Sequence, residues 1–429
     1  MIQQKVQNFL SSAGMSFEEN DFNSLAAQYI KEMELGLNSQ TSSLPMIPTY
    51  LSIDQPLPIN TPCIAIDAGG TNLRIGLISF DHSGTPSITK LSKMSMPGTS
   101  GKITKDAFFS MLAEAVAPLC SITDKIGFVF SYAVEILPSK DGKVLSLSKE
   151  IEVEGIENEL IGKNLCKKLE KLGVTPLPQI IVLNDTAASL LVLKLNASFA
   201  RDAVPCGFIL GTGLNLAYIE SNNEIQKQGF SLKEGTQIIN TETGAYNLFP
   251  RGNLDREFDA AMANPGLQLF EKMISGAYIG PLCATVLKKA AEQNMFTAAV
   301  NSRFLSLSGT STVEISNFLN NGDCPLSDIL KKAAAEDKQT TRGIIQQLIR
   351  RGAFYSAVAT AAAIQKSMKH TSDANKILLS CDGSTFYKLP GFKAFFTAFL
   401  EKALPEMPFE IIHTDEAPLL GAAIAGLIN

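Results

Sequence analysis

Three glycine turns and two aspartates carry most of the chemical information in this chain. Gly69-Gly70-Thr71-Asn72, Gly211-Thr212-Gly213 and Gly383-Ser384 each follow an apolar run. A polyphosphate needs backbone N–H groups brought very close, and glycine allows that approach at little steric cost. Each turn taken alone also fits a tight hairpin; their recurrence behind apolar strands favours a nucleotide. Asp67 closes one of those strands, where a carboxylate requires water or a cation. A magnesium ion held mainly by phosphates and water, with one carboxylate steering it, suits the position. A turn-stabilising aspartate is the plainer alternative. Asp185 repeats the pattern behind QIIVLN, at the carboxyl end of a strand, where α/β enzymes place their chemistry. Its alternative role is the N-cap of a helix starting at Thr186.

Other chemistries find little support. No GxxxxGK[ST] occurs, no GxGxxG follows a strand, and neither an HRD loop nor a GxSxG elbow is present. The seven cysteines (63, 120, 166, 206, 283, 324, 381) stand singly, without a CxxC, and the three histidines (82, 370, 413) are far apart. That pattern argues against a disulfide framework, a structural zinc site or a histidine-rich metal centre, and fits a reducing cytoplasm.

The elements that must position these groups are read from periodicity. Phe22, Leu25, Ala26, Tyr29, Ile30 and Met33 follow helical spacing. A Pro- and Ser-rich connector (41–62) leads to strand, glycine turn and strand across 63–80. A helix over 108–117, a strand over 126–131, a helix over 160–172 and a strand over 179–183 follow. Strand, glycine turn and strand recur across 207–220, which suggests two related α/β units facing each other. The second half reads as helical over 267–294, 325–337 and 342–368. A strand then spans 376–381, and a small-residue helix, APLLGAAIAGLI, ends the chain.

With 429 residues, 45% hydrophobic and 18% charged, the chain has material for two or three cores. Its formal charge of −5 argues against a nucleic-acid partner. No apolar run reaches the ~18 residues of a membrane span, and the first residues carry no secretory h-region. A cytoplasmic protein without a membrane or nucleic-acid partner is expected, as a monomer or homodimer.

Several phrases, in order along nearly the whole chain, resemble those of the hexokinases. IAIDAGGTNLRIGLI (64–78) and ILGTGLNLAYIE (209–220) resemble the two phosphate motifs. IGFVFSYA (126–133), VLNDTAASLL (182–191) and INTETGAYN (239–247) resemble the sugar strand, the catalytic NDT segment and the NTEWGAF-type sugar motif. ANPGLQLFEKMISGAYIG (263–280) is the most specific match, and CDGSTFYKLPGF (381–392) resembles the adenosine motif.

The resemblance implies an actin-like ATPase (ribonuclease H-like) α/β fold of two domains around a cleft. The small domain would hold 60–187 plus 413–429, and the large domain 1–59 plus 188–412. It implies an ATP-dependent hexose kinase using Mg2+, with glucose expected first and mannose or fructose sharing the 6-hydroxyl. Asp185 would be the general base and Lys149 would approach the transferred phosphoryl. Ser131, Ser148, Lys149, Asn184, Asp185, Asn215, Glu242 and Glu271 would hold the sugar. Asp67 would steer Mg2+, and Gly69, Gly70, Thr71, Asn72 and Arg74 would cradle phosphate. Gly211 and Thr212 would do so from the opposite domain, with Gly383 and Ser384 near the adenosine.

This chain departs from the family phrase at three places. Ser148-Lys149 replaces Thr-Lys, Thr243 stands where the sugar motif has Trp, and Ser131-Tyr132-Ala133 replaces SFP. Two other classes share the fold: a non-catalytic sugar sensor, and an ATPase whose nucleotide drives motion. Intact Asp67 and Asp185 speak against the first; the sugar-type Asn184, Glu242 and Glu271 speak against the second.

Overall fold

The computed structural model describes residues 2–147, 151–196, 199, 203–371 and 374–429. Two mixed sheets carry the architecture. The first contains β1 (Cys63–Gly69), β2 (Asn72–Phe80), β3 (Pro86–Ser95), β4 (Lys125–Phe130) and β5 (Gln179–Leu183), in the order β5-β4-β1-β2-β3. β1, β2 and β3 form an antiparallel meander, whereas β4 runs parallel to β1 and β5 parallel to β4. A short helix, α1 (Asp185–Leu191), starts two residues after β5.

The second sheet contains β6 (Ala203–Leu210), β7 (Leu214–Ser221), β8 (Thr236–Asn240), β9 (Lys376–Asp382) and β10 (Phe409–Ile412). Its order is β8-β7-β6-β9-β10, and the two-residue strand Ile47–Pro48 adds antiparallel to β8. Again an antiparallel meander is followed by two parallel strands. The two units read from the recurring strand–turn–strand phrase therefore share one topology.

Burial explains the strand sequences. β1 and β4 are covered on both faces and read as near-continuous apolar runs. β3 is an exposed edge, and Lys90 and Lys93 on it discourage pairing with another chain. A 34-residue helix, α2 (Ala335–Met368), runs through the larger core, its middle turns buried all round.

The last helix, α3 (Ala417–Ile428), packs against α1 and the first sheet through small residues. A Cβ at Gly127 of β4 would lie 1.7 Å from the Ala422 carbonyl oxygen, and one at Gly421 2.2 Å from that of Ala188. Backbone meets backbone there, which fixes the direction of α1 and therefore of Asp185 at its first turn.

Two expected helices are interrupted. The 267–294 segment divides into Glu271–Ile274 and Ile279–Glu292. In the break, the N–H groups of Gly276 and Ala277 donate to the carbonyls of Gly211 (2.8 Å) and Thr212 (3.0 Å), so these amides serve the second glycine turn instead of a helix. The 325–337 segment breaks after Pro325–Leu330, where Ala334 turns extended before α2 begins.

Candidate active site

A cleft of about 1080 Å3 opens where the strand ends of the two sheets meet. From the first sheet come Asp67, Gly69, Gly70, Asn72 and Arg74 on the β1–β2 hairpin, and Ser131 just beyond β4. Register explains the grouping: Asp67 stands opposite Arg74 on β2 and Val129 on β4, and the Ser131 N–H donates to the Ala68 carbonyl at 3.0 Å. Asn184 and Asp185 enter from the end of β5, Gly211, Thr212 and Asn215 from the β6–β7 turn, and Glu242 and Glu271 from the far wall. The first glycine turn is thus a hairpin, and its tip borders the cleft.

The remaining expected residues fall elsewhere. Thr71 is exposed at the hairpin tip, outside the cleft lining, and its carbonyl accepts from the Met96 N–H at 2.9 Å. Gly383 abuts the second turn: its φ is +103°, and a Cβ would lie 2.3 Å from the Leu210 carbonyl. Ser384 is exposed and opens the short helix Ser384–Lys388, while its neighbour Thr385 donates to the Gly211 carbonyl at 2.8 Å. Ser148 and Lys149 lie outside the described residues.

Asp185 does not cap α1. Asn184 does: its Oδ1 accepts from the Thr186 N–H at 2.8 Å, so Asp185 becomes the first helical residue. Its carboxylate accepts from the Thr186 hydroxyl at 3.2 Å and borders the cleft. Asn215 Nδ2 donates to Asn240 Oδ1 (2.8 Å) and Glu242 Oε1 (3.3 Å) and lies 3.5 Å from Asn184 Oδ1, spanning the two sheets. Asn240 Nδ2 donates to Glu242 Oε1 at 2.7 Å, and Glu271 Oε2 accepts from the Leu214 N–H at 3.0 Å. Glu242 holds a left-handed backbone, φ +56°, which costs a non-glycine residue about 1–3 kcal/mol. Strain of that kind persists only where neighbours over-determine the geometry.

The electrostatics are those of crowded, desolvated carboxylates. Burial, then the nearby Glu242 and Asp67, pushes Asp185 up to about 6. Burial together with Glu242 raises Glu271 to about 7, although the Leu214 amide opposes this. Burial also raises Glu242 against the opposing hydrogen bonds from Asn240 and Asn215. Asp67 is raised by burial despite its ion pair with Arg74, whose guanidinium also pairs with Glu416. Lys93 completes that corner at 3.3 Å from Glu416. A site of this kind gains from ligands that donate hydroxyl hydrogens to carboxylates, and from a cation near Asp67.

Among known proteins, hexokinase family models match residues 5–195 and 205–428, together most of the chain. The chain belongs to the hexokinase family. It is a phosphotransferase that acts on a hexose. Hexokinase-1 of Schizosaccharomyces pombe is 28% identical over 395 residues, covering 85% of this chain and 78% of that protein. Hexokinase-2 of Candida albicans is 28% identical over 442 residues, covering 94% and 88%. The fold matches that of a hexokinase from Schistosoma mansoni complexed with glucose, with a TM-score of 0.77 at 23% identity and 99% and 98% of the two chains covered. The expected actin-like ATPase architecture therefore holds for this hexokinase.

The cleft of this hexokinase also contains residues that sequence reasoning passed over. Asn264 and Gln268 line it from the ANPGLQLFEK phrase, and their spacing from Glu271 in that phrase was an available signal. Lys93 had none, because an exposed edge strand reads as solvated charge. Thr385, behind the second turn and outside the cleft lining, was hidden for another reason, since its partner is the Gly211 carbonyl far away in sequence.

The raised carboxylates set a pH dependence of stability. Asp185 and Glu271 hold protons in the folded state to about 6 and 7, above their ordinary values of 3.8 and 4.5. The folded protein thus binds more protons than the unfolded chain between about pH 4 and 7. Relative stability is fully present below that window and is lost as pH rises through it. Asp185→Asn removes one of these charges, so it should raise Tm at pH 8 and flatten the fall between about pH 4 and 7. Calorimetric scans across that range check this; an unchanged pH profile would contradict it.

Proposed function

We propose that this hexokinase transfers the γ-phosphoryl group of ATP to the 6-hydroxyl of glucose, with Asp185 as general base. The observation that carries the reading is that Asp185 shares one cleft with both glycine turns and with a set of amide and carboxylate side chains. Mannose and fructose offer the same hydroxyl and are the next substrates to expect.

The roles follow from chemistry. A carboxylate within ~3 Å of the hydroxyl accepts its proton as the oxygen attacks. Phosphoryl transfer has a loose transition state, so positioning and charge stabilisation count for more than base strength. Ser131, Asn184, Asn215, Glu242 and Glu271 supply the mixture of donors and acceptors that sugar hydroxyls need. Gly69, Gly70, Asn72, Gly211 and Thr212 would offer backbone to the phosphates from opposite sides, with Thr71 at the exposed hairpin tip beside them. Gly383, against the second turn, and the exposed Ser384 next to it are proposed for the nucleoside end. Arg74 would join the phosphates by exchanging its Asp67 and Glu416 partners for phosphate oxygens. Ser148 and Lys149 remain proposed ligands from the small domain.

Asp67, buried beside the first glycine turn with its carboxylate raised by desolvation, would gain from a cation such as Mg2+. Among the described residues no group of three or more His, Cys, Asp or Glu side chains could hold a metal. The ion would accordingly come with the phosphates, steered by Asp67, and would neutralise charge on them.

The proposed small domain (60–187 plus 413–429) and large domain (1–59 plus 188–412) both contribute ligands, so sugar binding should draw them together and exclude water. The cytoplasm is the proposed compartment, supported by seven free thiols. Among the described residues no helix is long and apolar enough to cross a membrane.

The test is ADP release across a hexose panel. Turnover is expected with glucose and, at lower efficiency, with mannose or fructose. Sugar binding by calorimetry without any ADP release would favour a sensor, and sugar-independent ADP release would favour a motion-coupled ATPase.

A further inference from the structure

We infer that Tyr29, on the helix Phe22–Leu37, is a positioning residue for the sugar site, acting through Thr243 and Thr241 to hold Glu242 in its left-handed conformation. The inference rests on the reading of Glu242 as a sugar ligand.

A single chain of hydroxyls carries it. The Thr241 hydroxyl donates to the Leu216 carbonyl on β7 at 2.8 Å, so its oxygen is left to accept. Thr243 Oγ1 lies 2.8 Å from Thr241 Oγ1, and the Tyr29 hydroxyl lies 2.5 Å from Thr243 Oγ1. With the Thr241 hydrogen committed, Thr243 donates to Thr241 and Tyr29 donates to Thr243. The direction is thus fixed from the phenol to the sheet.

The Thr241–Thr243 link straddles Glu242, joining the residues on either side of the one with φ +56°. All three hydroxyl-bearing residues are buried, at 0% exposure, so water cannot replace a missing partner. Burial raises the Tyr29 phenol well above its ordinary value, which keeps it a donor throughout the working pH range. Its ring is held by Tyr246 (centroids 4.6 Å apart) and Phe249 (6.0 Å). These ring contacts hold the phenol beside Thr243.

Thr243 stands where the family phrase has Trp, a side chain with no hydroxyl to accept from Tyr29 or donate to Thr241. In this chain the hydroxyls of Tyr29, Thr243 and Thr241 together brace the backbone on both sides of Glu242.

Tyr246 supplies the control. Its buried hydroxyl has no hydrogen-bond partner among the described residues, and its ring lies tilted against that of Tyr29. Tyr29→Phe and Thr243→Val should each raise the hexose KM about five- to tenfold, the size of one lost buried hydrogen bond. The KM for MgATP should stay within twofold. Thr243→Ser should restore the wild-type value, Tyr246→Phe should leave it unchanged, and the Tyr29→Phe/Thr243→Val double variant should lose no more than the worse single one. Steady-state kinetics with glucose, and calorimetric glucose titration of the same folded variants, read this out.

An unchanged hexose KM in Tyr29→Phe, or an equal rise in Tyr246→Phe, would overturn the inference. Glu242→Gln separates the two levels. If it leaves the hexose KM unchanged, the reading of Glu242 as a sugar ligand fails. If it raises KM while Tyr29→Phe does not, only the positioning role fails.

Discussion

Asp185→Asn is expected to lower kcat about 10²- to 10⁴-fold, the usual span for loss of a general base, with the hexose KM changed less than threefold. The replacement keeps the size and shape of the side chain and removes only its capacity to take a proton. The fold should survive it, because Asn184 caps α1 and Asp185 does not. The unfavourable crowding among Asp185, Glu242 and Asp67 is relieved in the variant, so the loss of rate should come with a gain in stability at neutral pH. That pairing is diagnostic, since damage to the fold would lower both. Coupled ADP assays alongside thermal scans measure it; a variant with near wild-type kcat would remove Asp185 from the chemistry.

The second large effect is structural. Gly127→Ala should cost about 3 kcal/mol or more of stability, at or above the upper end for overpacking a dense core. The added methyl would lie 1.7 Å from the Ala422 carbonyl oxygen, and that atom belongs to helix backbone, which cannot rotate aside. Relief requires α3 to move, and α3 meets α1 at Gly421 and Ala188. The surviving folded fraction should therefore have a lowered kcat as well, through displaced Asp185. Gly309→Ala is the matched control, because nothing lies within 4 Å of its added Cβ. Denaturant titration of both variants checks the contrast. Equal stability of the two would mean that the α3 contact is not what orients α1.

Much of this was legible in the chain itself. Strands buried on both faces announce themselves as apolar runs, and Asp67 and Asp185 stood out because a carboxylate closing such a run needs a reason. The glycine turns were visible for the same cause, since each ends an apolar strand. What could not be read was anything fixed by distant pairing. The Tyr29 helix looked like an ordinary amphipathic segment, and nothing local said that its one ring hydroxyl reaches Thr243. The break at 275–278 looked helical, because the carbonyls that capture its amides belong to Gly211 and Thr212. The choice of Asn184 over Asp185 as the cap was also hidden. Both residue types cap well, and only the turn at the end of β5 decides between them.

The most direct measurement compares ADP formation with glucose and with 6-deoxyglucose at saturating MgATP. The account predicts stoichiometric ADP and glucose 6-phosphate with the first. With the second it predicts binding by calorimetry but no ADP, since the hydroxyl facing Asp185 is gone. Equal ADP formation with both sugars, or phosphate found on another oxygen, would contradict it.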